Sequence, residues 1–321
     1  MFNILKENPI REVFHHNVVK KNALMDVEEL RIHPSWISPL HQENAKCEGR
    51  GIYVYDLPSK FNKEIMSHCN SMIPWVDLCK FFSNGGLGEP IWKLGKGWFH
   101  THQYVLESIF HSRALNHPCR VPNPNETRLC YMPFYARLDV LRWHLKNVFH
   151  DVKDSLSHEL VKWLKTQEPW FKNLGKDHVF ILGIISWDFR RYNGSSWGSR
   201  FLEFDEMQNP VKLLIKRNTC HVNDISIPHL TFFYPESSDD IITWQTKIIS
   251  SSRQILINFT GASRPDSSKN IRSILIDQCS ILGDCRFMNC SSGSCNDQPE
   301  SFIELFMESE FCLQPLGDSS T

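Results

Sequence analysis

The residues able to do chemistry gather at the ends of apolar stretches. The strongest such stretch, 179–187, leads into the run WDFRR, which holds Trp187, Asp188, Arg190 and Arg191. Ligands of open parallel sheets lie beyond the carboxyl ends of the strands. Asp188 is therefore placed to take a proton from a substrate hydroxyl or to grip one, with Arg190 or Arg191 contacting phosphate or sugar. The other reading is an Asp–Arg pair that pins a loop. Asp177 and His178 stand where the same stretch begins. His178 reads either as a base or sugar ligand, or as a strand-start histidine satisfied by the backbone; topology favours Asp188. Tyr55 and Asp56 follow the first strand as Asp188 follows its own. Asp56 either binds hydroxyls or forms an Asx turn with Pro58. FTGASR (259–264) ends a strand in a glycine turn. Gly261 lets backbone N–H groups approach an anion, and Arg264 can hold a phosphate through two parallel bonds. Near the end, GDSST (317–321) offers Asp318 and Ser319 to a diphosphate.

Other chemistries lack their signatures. No GxSxG, HExxH or P-loop occurs. No metal-binding DxD sits at a strand end, and Asp239-Asp240 reads as a helix cap. The glycine-rich FFSNGGLGEP lacks the strand–helix context of a dinucleotide fingerprint and reads as a loop over a groove. Trp75, Trp92, Trp98, Trp170 and Trp197 occupy loop-like or helix-end positions. Each either stacks on a glycan or packs into the core, and core packing is the default.

The elements that must position these groups alternate. Strands are expected at 51–58, 128–135, 178–187, 212–216, 254–262 and 311–315. Helices are expected at 100–113 with Thr101 as cap, and at 138–149, 155–165, 241–252, 271–282 and 302–308. Such alternation implies parallel sheets with crossover connections. Polar residues 1–46 read as a stem or linker, 47–215 as a first domain and 216–321 as the start of a second. Lys and Arg number 35 against 36 Asp and Glu. This balance argues against a general polyanion binder, and no nucleic-acid partner is expected.

Eleven cysteines are present, four of them in CSILGDCRFMNCSSGSC (279–295). No CxxC pair occurs, so a disulfide-stapled loop fits better than a metal, and it implies an oxidising compartment. The odd count leaves a thiol over. Sequons at Asn125, Asn193, Asn258 and Asn289 agree with a luminal setting, although Asn258 lies in a buried-looking run. The first residues carry no long apolar segment; an upstream anchor is expected to be missing.

CEGRGIYVYDLPSKFN (47–62), YMPFYARLD (131–139), GKDHVF (175–180), WDFRR (187–191), WG (197–198), FTGASR (259–264) and FCLQPLGDSST (311–321) together resemble, in order, the plant exostosin-like glycosyltransferase family (GT47), most of all its xyloglucan galactosyltransferase branch. The resemblance implies a GT-B fold of two facing Rossmann-like α/β domains, with the second incomplete in this chain. It implies inverting transfer from a UDP-sugar, such as UDP-galactose, to a xyloglucan-type polysaccharide acceptor. It also implies residence on the luminal face of the Golgi membrane as a type II protein, beside other Golgi glycosyltransferases. No metal or other cofactor is expected. Asp188 and His178 become catalytic candidates. Asp56, Tyr55, Asp177, Trp187, Arg190 and Arg191 become acceptor contacts, and Arg264, Gly261, Asp318 and Ser319 donor contacts. Arg137, Ile184 and Lys216 depart from the family pattern, which favours a small, a basic and an acidic residue there. The alternative is a non-catalytic glycan-binding or partner subunit, a truncated and diverged paralogue.

Overall fold

A computed structural model describes residues 47, 49–191, 196–262, 271–291 and 294–315. The expected stem, 1–46, and the candidates Arg264, Asp318 and Ser319 lie outside the described residues, as does the sequon residue Asn193.

The apolar stretches become strands of two parallel sheets. The first contains β1 (Ile52–Val54), β2 (Arg120–Val121), β3 (Cys130–Met132), β4 (His178–Ile185), β5 (Val211–Lys216) and β6 (Asp224–Ser226), in the order β2-β1-β3-β4-β5-β6. Every neighbouring pair is parallel. Parallel pairing needs crossovers. The main ones run through α1 (Leu106–Leu115), α2 (Ala136–Trp143), α3 (His150–Leu164) and α4 (Glu168–Asn173).

Side chains alternate across a strand, and β4 shows the consequence. Phe180, Leu182 and Ile184 enter a large core with Leu138 and Leu141 of α2 and Leu156, Leu160 and Leu164 of α3. Val179 and Ile181 face the other way, joining Ile52, Val54, Tyr131 and Leu106 of α1. Both faces of β4 are covered, which is why its sequence is apolar throughout. At Gly183 a Cβ would lie 3.3 Å from Cβ of Leu106, so the missing side chain lets α1 pack close to the sheet.

The second sheet holds β7 (Ile255–Gly261), β8 (Cys285–Asn289) and β9 (Ser309–Leu313) in the order β8-β7-β9, again parallel. Helices α5 (Ser238–Ile249), α6 (Ile271–Ile281) and α7 (Pro299–Met307) accompany it. A reciprocal cap between Ser237 and Asp240 starts α5. The mixed α/β architecture with two parallel sheets fits a pair of Rossmann-like domains.

Several local readings shift. α1 starts at Leu106, and the Thr101 hydroxyl donates to the Leu87 carbonyl (2.7 Å) instead of capping a helix. α2 stops at Trp143, before the expected end at 149. β8 lies inside the cysteine run read as a loop. Cys279–Cys285 closes the turn before it and Cys290–Cys295 the turn after it. β6 pairs with β5, so the first sheet extends beyond the 215/216 division.

The two sheets are joined through aromatic packing that the sequence reading did not anticipate. Trp98 is buried against Trp244 of α5, with ring centroids 4.6 Å apart, and beside Phe233 at 5.1 Å. The Phe99 N–H donates to the Phe232 carbonyl (2.9 Å), and the Tyr234 N–H to the Gly97 carbonyl (2.7 Å). Ile91, Leu94, Ile303 and Met307 complete the cluster.

Candidate active site

The two catalytic candidates lie at opposite ends of β4. An eight-residue strand spans about 25 Å, so His178 and Asp188 do not share a site. His178 is fully buried at the amino end. Its Nδ1 lies 2.7 Å from Asp177 Oδ1, and its Nε2 lies 2.9 Å from the Tyr55 hydroxyl. A carboxylate only accepts, so Nδ1–H donates to Asp177 and Nε2 accepts from Tyr55. Burial holds the imidazole below its ordinary range, against the pull of Asp177. The Trp170 ring meets the imidazole edge-on. Cys130 Sγ, the Asp177 carboxylate and the His178 ring come within 4.8 Å of one another, a donor set able to hold a metal ion. Both ring nitrogens are nonetheless satisfied by protein groups.

Asp188 lies beyond the carboxyl end of β4 in a short 3-10 turn, Ser186–Phe189, and is 4% exposed. Two other segments meet around Asp188. Arg137, at the start of α2, brings its guanidinium to 3.7 Å. Trp197 donates its indole N–H to Oδ1. The Ser199 N–H donates to the Asp188 carbonyl (2.9 Å). Burial raises the Asp188 carboxyl above the ordinary range, opposed by Trp197 and then Arg137. Gly198 has φ +61°, and a Cβ there would lie 2.1 Å from the Asp188 carbonyl oxygen. The Trp197-Gly198 pair therefore closes on Asp188 in a way that a larger residue at 198 would block.

The neighbouring arginines are tied into the scaffold. Arg190 is buried and pairs with Asp224 of β6 at 2.9 Å, with Lys212 of β5 3.6 Å from the same carboxylate. Arg191 holds Asp154 of α3 through bonds of 2.7 and 3.2 Å and reaches the Gly198 carbonyl at 2.8 Å. These bonds match the loop-pinning alternative for the two arginines. Trp187 is 47% exposed, with the Lys216 ammonium 4.9 Å from its ring centre. Asp56 is exposed beyond β1, and Tyr55 is buried against His178. Gly261 ends β7, its carbonyl accepting from the Cys290 N–H (3.0 Å). Of the tryptophans, Trp98 and Trp170 are core residues, while Trp75, Trp92 and Trp197 are exposed.

Two participants escaped the sequence reading. Glu107 of α1 is buried, and its Oε1 accepts from the Arg137 N–H (2.9 Å) and the Gly183 N–H (3.2 Å). It fastens α1, β4 and the first turn of α2 together behind Arg137. Burial pushes its carboxyl up to about 8. The polar residue inside the apolar stripe of α1 was the available signal. The second is a cleft of about 300 Å³ beside Asp188, lined by Val140, Trp143, His144, Lys146, Lys153 and Trp197 among others.

Residues 46–321 match the exostosin GT47 domain. The chain belongs to this family. It is 56% identical over 306 residues to the Arabidopsis thaliana protein named xyloglucan-specific galacturonosyltransferase 1, covering 94% of this chain and 46% of that protein. It is 54% identical over 298 residues to the probable xyloglucan galactosyltransferase GT20 of the same plant, covering 92% of this chain and 53% of the relative. The xyloglucan galactosyltransferase XLT2, also from Arabidopsis thaliana, is 36% identical over 285 residues, 86% of this chain and 55% of that protein. The chain thus spans about half the length of the curated relatives it matches. No solved structure matches it. Eight cysteines pair as four disulfides, and Cys130, Cys220 and Cys312 remain free. Among the described residues no helix is long and apolar enough to cross a membrane.

Proposed function

We propose that the chain carries the catalytic fold of an inverting glycosyltransferase that adds one sugar from a UDP-sugar to xyloglucan side chains. The observation that carries this reading is the buried Asp188 carboxylate at the carboxyl end of β4, raised by burial and flanked by Arg137 and by Trp197, whose ring lines an aromatic cleft. In this reading the acceptor hydroxyl oxygen attacks the anomeric carbon. Its proton passes to Asp188, and the bond from the anomeric carbon to the diphosphate oxygen breaks, releasing UDP. A base with a raised pKa suits this step near neutral pH. Trp187 offers an exposed face to the acceptor, with Asp56 at the end of β1, two strands away in the sheet. Gly261, Arg264, Asp318 and Ser319 are assigned to the donor diphosphate.

The donor sugar is galactose or galacturonate, the two transfers named for the relatives. No step in this scheme is assigned to a metal. Family membership, four disulfides and the exposed sequon at Asn125 support a luminal Golgi setting beside other cell-wall transferases. The test supplies UDP-galactose and UDP-galacturonate separately with xyloglucan oligosaccharides and follows product mass. Gain of one hexose or one hexuronate unit, abolished in Asp188→Asn, is expected. Oligosaccharide binding with no transfer from either donor would instead establish a glycan-binding protein.

A further inference from the structure

Trp197 touches both the cleft and Asp188. Its indole N–H bonds the Asp188 carboxylate. Its ring meets His144 edge-on, with centroids 4.1 Å apart, and the residue is 46% exposed. The turn that carries it is fixed from α3. Lys153 Nζ donates to the Ser196 carbonyl (2.7 Å), and Asp154 accepts from the Arg200 N–H (3.0 Å) while holding Arg191. Gly198 then lets the turn press on the Asp188 backbone. The indole is thus held by a braced turn rather than by the floor it covers.

The cleft has the chemistry of a sugar subsite. Trp197 offers an aromatic ring to the C–H side of a pyranose, beside Trp143, whose ring centre lies 5.5 Å from the Lys146 ammonium, while Lys146, Lys153 and Asn147 offer donors to its hydroxyls. No carboxylate lines it. At about 300 Å³ it lies at the small end of ligand pockets, the scale of one or two sugar units.

We propose that this cleft binds the pyranose unit of the acceptor glycan next to the reacting one, and that Trp197 is a positioning residue whose indole N–H holds Asp188 in line once a sugar covers its ring. The proposal rests on the transferase reading above. The groups facing Asp188 are Arg137 from α2, with its guanidinium 4.0 Å from the Tyr104 ring centre, and Trp197 from the turn; Glu107 lies behind Arg137, with His144 and Lys153 behind Trp197. Losing the indole bond removes a group that lowers the Asp188 carboxyl, so the base ionises at higher pH.

Two variants of the full chain separate the parts. Trp197→Phe keeps a ring and deletes the N–H. Acceptor KM is expected to stay within about threefold, and the acid limb of kcat to move up by about one pH unit, with kcat falling up to about tenfold on that limb. An unmoved acid limb would overturn the positioning role. Trp197→Ala and Lys146→Ala are both expected to weaken xyloglucan-oligosaccharide binding at least about fivefold, read by intrinsic fluorescence with no donor present. Because Lys146 is exposed, its variant keeps the fold and tests the subsite even where Trp197→Ala does not. Unchanged binding in Lys146→Ala would overturn the subsite, whether or not Trp197→Ala folds. Full transfer by Asp188→Asn would remove Asp188 as the base, and no transfer by the native chain would sink the transferase reading itself; the binding arm depends on neither result.

Discussion

The Arg137 guanidinium stands 3.7 Å from the Asp188 carboxylate, with both side chains about nineteen-twentieths buried. The two arrive from different crossovers, one after β3 and one after β4, and meet where those strands end side by side. Arg137 also lies over the Tyr104 ring, 4.0 Å from its centre. A buried carboxylate that loses its cation is pushed further toward its protonated form. Arg137→Met is therefore expected to raise the Asp188 pKa beyond the rise burial already causes. A base works only when ionised, so activity falls as pH drops through that pKa. The acid limb of transferase activity is expected to move to higher pH by about one unit or more, with the loss confined to that limb, while Arg137→Lys keeps most of the wild-type profile. A pH–rate series on the three proteins measures this.

Glu107 links the same region to stability. Its carboxyl is raised to about 8 by burial, while the unfolded chain releases that proton near 4.3. Below about pH 4 both states hold the proton and the group is neutral toward folding. Between about pH 4 and 8 the unfolded state has released it and the folded state has not, so stability falls as pH rises. The loss approaches about 1.4 kcal/mol per pH unit for this one group. Glu107→Gln keeps an oxygen for the Arg137 and Gly183 N–H groups and removes the titration. Urea midpoints at pH 5, 6.5 and 8 are expected to fall less steeply for the variant. Parallel slopes would show that Glu107 is already ionised in the fold.

How much of this was legible in the sequence depends on which force decides each feature. β4 could be read because a strand covered on both faces is apolar almost throughout, and β7 because it opens on the apolar run Ile255–Ile257, patterns that survive without any partner in view. The position of Asp188 beyond the carboxyl end of β4 could be read because it follows such a strand. The alternatives for His178 stayed open for want of one partner: the sequence places it next to Asp177 but does not reveal that Tyr55, far away in the chain, closes its second nitrogen. Arg190 and Arg191 were ambiguous for a related reason. Asp224 and Asp154 lie 34 and 37 residues away, and ion pairing at that range has no sequence signature. β8 was missed because its cysteines suggested a stapled loop, while its pairing with β7 is long-range. The role of Glu107 rests on two N–H groups from other elements, and only its polarity inside an apolar face hinted at it.

Trp98 gives a test of the packing that joins the two sheets. It is 8% exposed and touches Trp244 and Phe233, while the chain beside it pairs with residues 232–234. Removing a buried tryptophan side chain costs about 3–5 kcal/mol. Trp98→Ala is expected to lower stability by that amount. Limited proteolysis should then cut first within 89–99 or 228–236, the loops whose contacts the indole holds. Trp92→Ala, at a side chain 84% exposed in the same loop, is expected to change stability by less than about 0.5 kcal/mol. Equal effects from the two variants would contradict the packing described here.

The four disulfides differ in what they close. Cys47–Cys119 spans 72 residues and ties the chain ahead of β1 to the residue before β2, whereas Cys279–Cys285 and Cys290–Cys295 span 6 and 5. Chain entropy in the unfolded state makes the long closure worth about 4 kcal/mol and the short ones about 2 kcal/mol each. The native chain, unfolded without reductant, is expected to titrate three thiols, those of Cys130, Cys220 and Cys312. Replacing Cys47 and Cys119 together by serine should leave that count unchanged and produce the largest drop in denaturation midpoint of the four paired replacements. Replacing Cys47 alone should expose a fourth thiol, Cys119, and destabilise by a similar amount, because the cross-link is lost either way. A single-cysteine variant as stable as the native chain would show that the long closure adds nothing, and would remove the main tie between residue 47 and the first sheet.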